Sequence, residues 1–523
     1  MRVSTAGAMA TVAAAVRRRR PDASVVRGRR LDCRGRRPVS SLDARDIGST
    51  AGGVHATEFL EPDRSGRRRG TRHPRHIGSR SAAAQHQRPN LSGFGVPLLG
   101  IIAEVAQGKT ADFELFADGQ FDFVDVETLP KVGPIFNSRS CGSCHFQPAL
   151  GGSGAFINEV RVRNNHAGGP VHIFASDNNL RLGAQKQGNQ TIFPSGVEST
   201  PLGCQITSPK CNLSRCQTEE ATRTTFATTL PICDPTSAAF LNGGNCSAER
   251  QATPLFGFGY IEAIADSTLV RIAANQPASI RGTVKQVNEL GATRVARFGW
   301  KDDTATLRGF ASDAYLNEMG ITSPDAPNER SQCALNRSQF GVLLDPRDDP
   351  EDTPDASGRA DIDRFADFMR ALDAPPVLAQ NASATRGSTL FSSIGCAGCH
   401  VPTIQTAFNP ASFIPKTTGG VPISGSMNAF LGNETIHPYS DFLLHDMGAL
   451  GDGITSGAAG PRMMRTSPLW GVRAKSRFLH DGRAESITDA IKLHDGQATN
   501  ARNGFNALKA TDQQAVVDFL NTI

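Results

Sequence analysis

No run of 18 consecutive apolar residues occurs anywhere in the 523-residue chain, which leaves no segment able to cross a bilayer as a helix. Lysine is absent from the first 90 residues, and Phe59 is their sole aromatic. Those residues hold 20 Arg and 7 acidic side chains, a balance of +13, whereas the other 433 hold 35 basic and 43 acidic, a balance of −8. An Arg-only arm suggests nucleic-acid or membrane binding. Without periodicity or aromatic bulk it cannot bury a core, however, so residues 1–90 read as a disordered Arg-rich tail and no nucleic-acid partner is expected. A good export signal is missing too. Ala6 to Val16 is short and Ala-rich, and Arg17 to Arg20 follow it instead of preceding it. The tail reads as a mis-assigned start or a wrongly framed translation.

What the chain does have is Cys396-Ala397-Gly398-Cys399-His400, and a second copy of the spacing in Cys141-Gly142-Ser143-Cys144-His145. Two thiols three apart with histidine next is the arrangement that fastens a c-type haem: each thiol adds across a vinyl group and the imidazole reaches the iron. A zinc knuckle, a disulfide loop and coincidence are the alternatives. Zinc calls for a second Cys or His pair close by in sequence, and neither motif is followed by one. The expected cofactors are two covalently bound haem c groups, with Cys141, Cys144, His145, Cys396, Cys399 and His400 as their attachment residues.

The chain has 11 cysteines. Four belong to the motifs and Cys33 lies in the tail, leaving Cys204, Cys211, Cys216, Cys233, Cys246 and Cys333. An even six suits a disulfide-permissive compartment, and with haem c it points to the periplasm. Residues 175–250 are rich in Thr, Ser, Asn and Gly and contain five of the six, so a loop-rich, disulfide-stapled insertion is expected. The pairing is open: Cys333 closes onto this lobe, or one thiol stays free.

Elsewhere the pattern is helical. Phe113, Phe116, Phe121 and Phe123 supply the aromatic bulk that the tail lacks. After the first motif, Pro148 to Gly154 is a turn-rich loop, either lying against a porphyrin edge or an ordinary surface loop. Ile362, Phe365, Phe368, Met369 and Leu372 form one face of a helix over 361–372 that Pro375-Pro376 ends. Another helix leads from Arg386 through Phe391 into Cys396, and a last one begins near an N-cap pair, Thr511-Asp512, with Val516, Phe519, Leu520 and Ile523 on one side. The fold class is therefore mainly α. It comprises a tail (1–90), a cytochrome-c-like haem domain with the insertion (91–379) and a second such domain (380–523).

Outside the tail and motifs the histidines are His166, His172, His437, His445, His480 and His494. Arg465 to Val472, Phe478-Leu479-His480-Asp481-Gly482-Arg483, Asp489-Ala490-Ile491 and His494-Asp495-Gly496 together resemble the C-terminal signature of bacterial di-haem cytochrome c peroxidases. Gly133 to Gly152, Glu318 to Thr322 and Asp441 to Gly448 resemble more closely the branch called di-haem oxidoreductases, or thiol-oxidoreductase-like proteins. The resemblance runs from about residue 94 to the end, the Cys-rich insertion excepted.

The resemblance implies several roles. The peroxidases place the distal ligand of their C-terminal haem fourteen residues after the histidine of the His-Asp-Gly stretch, which here is His494. They usually have methionine there, so this haem is expected to be bis-histidine, a change that lowers its potential. Glu318 falls at the catalytic glutamate, which takes a proton from peroxide and returns it to the leaving oxygen. Arg308 stands where the peroxidases have glutamine, either stabilising charge on that oxygen or making a surface salt bridge. Trp300 lies near the tryptophan set between the two haems, as an electron relay or as core. Position 161, where relatives can have a capping histidine, is Arg161; His166 and His172 lie beyond it. Glu262 is a further distal-pocket candidate, or a partly exposed helix carboxylate.

The expected function is a peroxidase-like di-haem oxidoreductase, with a reactive haem on His145 and an electron port on His400. Its partners would be a small oxidant such as peroxide and a redox partner protein. The alternatives are a non-catalytic di-haem electron-transfer cytochrome and an assembly or adhesion module built on the insertion. Relatives include peroxidases, an enzyme that oxidises tryptophans on a partner protein, and rubber-cleaving dioxygenases, so the substrate stays open.

Overall fold

The computed structural model describes residues 93–127, 140–154, 157–163, 179–187, 190–192, 233–237, 246–319, 321–327 and 353–523. The expectations for residues 1–90, His166, His172, Cys204, Cys211, Cys216 and Cys333 fall outside these. The described chain is helix-rich with few short strands. None of its helices is long and apolar enough to cross a membrane.

Helices α1 (Leu99–Ala106) and α2 (Ala111–Val124) come first. Asp112 and Glu114 sit in the first turn of α2, where the helix dipole favours acidic side chains. A 3₁₀ turn, Cys141–Ser143, then carries the first motif. Strands β1 (Ile157–Arg163), β2 (Asn179–Gln187), β3 (Gln190–Ile192) and β4 (Cys246–Gln251) form an antiparallel sheet in the order β3-β2-β1-β4. Arg161 pairs with Arg181 on one side and Ala248 on the other. Within 175–250, where loops are expected, most of the described residues lie in strands. Leu180, Leu182 and Ala184 recur with the period of two that makes a strand, a signal that bulk composition conceals.

Next come α3 (Phe258–Glu262), α4 (Asp266–Asn275) and a hairpin of β5 (Gln286–Glu289) and β6 (Ala292–Val295). Helix α5 (Leu307–Ala314) is capped by the Thr306 hydroxyl and runs on as a π-helical turn, Tyr315–Met319. The remaining helices are α6 (Asp361–Ala371), α7 (Ala382–Ser393), α8 (Gly425–Leu431), α9 (Ile487–Leu493), α10 (Thr499–Ala507) and α11 (Ala510–Leu520). The second motif turns at Cys396–Gly398, between α7 and α8.

Two hydrophobic clusters organise these elements. In the first, Phe116 and Phe123 of α2 meet Phe368 of α6, with ring centres 5.4 and 4.9 Å apart. A glycine permits this approach, since a Cβ at Gly119 would lie 2.3 Å from the Arg364 carbonyl oxygen. The predicted face of α6 is buried as read: Ile362, Phe365, Phe368, Met369 and Leu372. The same cluster takes in Ile404, Met427, Leu431, Ile436, Phe442 and Leu443, which follow the second motif. In the second cluster Phe391 of α7 packs with Phe505, Val516, Phe519, Leu520 and Ile523. Helices α7 and α11 touch at Gly387, where a Cβ would lie 1.8 Å from the Ala515 carbonyl oxygen. The Thr511-Asp512 pair does not cap α11, which starts at Ala510 without a side-chain cap; Asp512 instead pairs with Arg386 at 2.6 Å.

Candidate haem sites

Each motif folds as one tight turn. The His145 amide donates to the Cys141 carbonyl at 3.1 Å and the His400 amide to the Cys396 carbonyl at 2.9 Å. Both turns thereby draw the histidine back towards the first cysteine. Desolvation, with the neighbouring thiol, pushes Cys141 and Cys396 each up to about 12. Apolar surroundings of this kind hold sulfur as thiol, not thiolate.

The second motif opens onto a cavity of about 310 Å³, within the range of about 300 to 1,000 Å³ that cofactor pockets occupy. Phe391, Ile394, Leu450, Met464, Val472 and Phe478 make its lining chiefly apolar. His400 and His494 face each other in it, ring centres 6.4 Å apart. Two imidazoles bonded to opposite sides of one metal at about 2 Å each would have ring centres roughly 6 Å apart. His400 Nδ1 lies 2.9 Å from the Tyr439 carbonyl oxygen and His494 Nδ1 2.7 Å from that of Ala490. Donation from Nδ1 to those carbonyls leaves Nε2 of each ring to a metal, the outer hydrogen bonding that ligating histidines use. Desolvation, reinforced by His494, pushes His400 down to about 4, and desolvation also lowers His494. Both are neutral near pH 7, as ligands must be. Cavity, thiols and opposed imidazoles fit a haem.

At the first motif, His145 Nδ1 lies 3.1 Å from the Gly152 carbonyl oxygen, again freeing Nε2. The Pro148–Gly154 loop therefore folds back on the histidine. Gly152 is required there, because a Cβ would lie 2.0 Å from the Gln147 carbonyl oxygen. Met319 Sδ is 4.0 Å from Cys141 Sγ, which brings the π-helical turn bearing Glu318 against this motif.

Trp300 is buried, donates from Nε1 to the Gln251 carbonyl at 2.8 Å and meets His480 edge-on at 6.3 Å. It lines the large cavity and also a second one of about 30 Å³, walled by Gln147 and Pro148 beyond the first motif. Arg308 is placed otherwise. Its Nη1 donates to the Lys416 carbonyl at 2.8 Å, its Nη2 pairs with Asp325, and Asp363 lies 3.6 Å from its Nε. Of the two alternatives for Arg308, the contacts present are those of a salt bridge. The reading of Glu262 is corrected. It is fully buried, accepting from the Leu307 amide and from Arg370 Nε, both at 2.8 Å, so it joins α3 to α5 and α6. Cys233 is disulfide-bonded.

Sequence reasoning missed one cluster. His445 Nδ1 lies 3.7 Å from Cys399 Sγ and its Nε2 is 2.9 Å from Asp441 Oδ2, which also accepts from Gln276 Nε2 at 2.7 Å. Cys399, Asp441 and His445 offer donor atoms within 4.8 Å of one another, the nearest approach to a zinc site among the described residues. Burial alone would push His445 down, but hydrogen bonding to Asp441 raises it to about 10. A protonated imidazole is a poor metal ligand.

Residues 236–523 match the family model described as "Di-haem oxidoreductase, putative peroxidase". The chain belongs to the di-haem oxidoreductase family. The match spans the second motif, the His480 stretch and His494; the first motif precedes it. A search of curated proteins finds no match. Among solved structures, the chain is similar to the diheme peroxidase BthA from Burkholderia thailandensis at 14% identity, covering 44% of this chain and 66% of BthA with a TM-score of 0.25. It is also similar to Kuenenia stuttgartiensis hydrazine synthase (15% identity, 65% of this chain, 100% of that one, TM-score 0.22). A third is a MauG-like protein associated with microbial copper homeostasis (14% identity, 56% and 92%, TM-score 0.24).

Proposed function

We propose that this di-haem oxidoreductase is a periplasmic, peroxidase-like enzyme with two covalently attached haems. Cys141 and Cys144 would hold one haem, and His145 would supply a nitrogen to its iron. Cys396 and Cys399 would hold the other, between His400 and His494, in a second haem module that begins near residue 380. The opposed imidazoles, 6.4 Å apart with both Nδ1 atoms tied to backbone carbonyls, carry this reading. Bound haem supplies one-electron redox chemistry.

The protein's own groups divide that chemistry. His400 and His494 close both faces of their site, so it passes electrons and admits no substrate. His145 takes one face of the other site and leaves the opposite face for a small oxidant. There the Glu318 carboxylate takes a proton from peroxide and returns it to the departing oxygen. Trp300, lining both cavities, carries electrons between the sites. A redox partner protein supplies electrons to the His400 side.

Low-temperature EPR of the ferric, haem-loaded protein tests this reading. One low-spin and one high-spin signal, the latter responding to peroxide, is the expected result. Two low-spin signals and no reaction with peroxide would replace the enzyme with an electron carrier.

A further inference from the structure

The large cavity is apolar, yet basic side chains enter it. Three of these are already engaged. Arg465 donates to the Gly299 carbonyl at 2.7 Å and to the Thr466 carbonyl at 3.2 Å, with Asp302 at 3.6 Å. Arg502 Nη1 donates to the His494 carbonyl at 2.7 Å and to Asp495 at 3.1 Å. His445 is held by Asp441. The fourth is Lys475, which lines both cavities and whose ammonium meets no acceptor among the described residues. Desolvation, with Arg465 adding repulsion, pushes it down to about 8. Lys475 is half-buried, so the position offers an unpaired cation on an apolar cavity wall, which suits an anionic occupant.

The lysine is also held in place. Ser476, the next residue, donates its hydroxyl to Gln147 Oε1 at 3.0 Å, and the Lys475 amide donates to the Val472 carbonyl at 3.1 Å. The backbone that carries the lysine is thus fixed on the wall shared by the two cavities. A haem entering the larger cavity brings two carboxylates of its own on an otherwise apolar ring. That is the chemistry this wall lacks.

We propose that Lys475 is a carboxylate-binding residue and that it takes a propionate of the haem held between His400 and His494. The proposal rests on the haem reading of this cavity. The ammonium neutralises the propionate, and a positive charge beside the ring favours the reduced iron. Lys475 thereby raises the potential of a site whose two histidines lower it.

The test uses the matured di-haem protein, with Lys475→Met and Lys475→Arg. Spectroelectrochemical titration follows the low-spin haem, and resonance Raman follows the propionate bending band. Lys475→Met is expected to keep the low-spin spectrum, to shift the propionate band and to make reduction about tenfold less favourable, or 59 mV for one electron. Lys475→Arg is expected to keep both signals near the unmodified values. In the unmodified protein the same band should move on exchange into D2O, a readout that needs no variant. A low-spin haem whose propionate band ignores D2O, or whose potential and band are unchanged in Lys475→Met, overturns the proposal alone. Absence of a low-spin haem in the unmodified protein overturns the haem reading and the proposal with it.

Discussion

Cys141 and Met319 stand 178 positions apart in sequence, and their sulfur atoms lie 4.0 Å apart. The contact holds the π-helical turn that carries Glu318 beside the first motif. Glu318→Gln should therefore slow the reaction of the high-spin haem with peroxide about 10²-fold or more, as loss of a general acid–base does. Stopped-flow spectroscopy checks this; Glu318→Asp should recover part of the rate.

His494→Ala should convert the low-spin signal to high-spin and leave the haem attached at Cys396 and Cys399. His494→Met should restore a low-spin signal at a higher potential. EPR and redox titration read both, and an unchanged low-spin signal in the alanine variant would remove His494 from the ligand set.

Trp300→Phe should slow electron passage from the His400 site to the first site and leave the initial reaction with peroxide unchanged. It also removes the hydrogen bond to the Gln251 carbonyl, at a cost of about 0.5 to 1.5 kcal/mol. Reoxidation kinetics after half-reduction separate the relay role from this stability loss, which thermal unfolding reports.

Arg308→Ala should lower stability by up to about 3 kcal/mol, because Asp325 and Asp363 lose the cation that faces both of them. Peroxide kinetics should stay within twofold. A hundredfold loss of rate with unchanged stability would return Arg308 to the catalytic set.

Asp373 makes stability fall with pH in mildly acidic solution. Desolvation pushes its carboxyl up to about 6 despite the hydrogen bond from the Ala374 amide. The folded state therefore holds the proton more tightly than the unfolded chain, where the value is about 3.9. Its contribution is full below about pH 4 and is lost as pH rises through about 6. Asp373→Asn should flatten that part of the profile of unfolding temperature against pH.

Local signals were legible where a short pattern dictates the outcome. The apolar face of α6 and the terminal face of Val516, Phe519, Leu520 and Ile523 follow from helical period alone. His494 follows from the resemblance to the peroxidases, which place a ligand fourteen residues after the histidine equivalent to His480, and the fold sets it 6.4 Å from His400. What escaped depends on partners far along the chain. Arg308 meets Lys416 and Asp325, Glu262 meets Arg370, and Lys475 is notable for what it fails to meet. No window of local sequence contains those relations. The strands within 175–250 were hidden for another reason: composition averaged over 76 residues erases a period of two.

The first hydrophobic cluster draws Met427, Leu431, Phe442 and Leu443 from beyond the second motif. A fragment ending at residue 379 would lack them and leave that cluster incomplete. The order of assembly is thereby constrained. The polypeptide must extend past its second Cys-x-x-Cys-His turn before its first core can close.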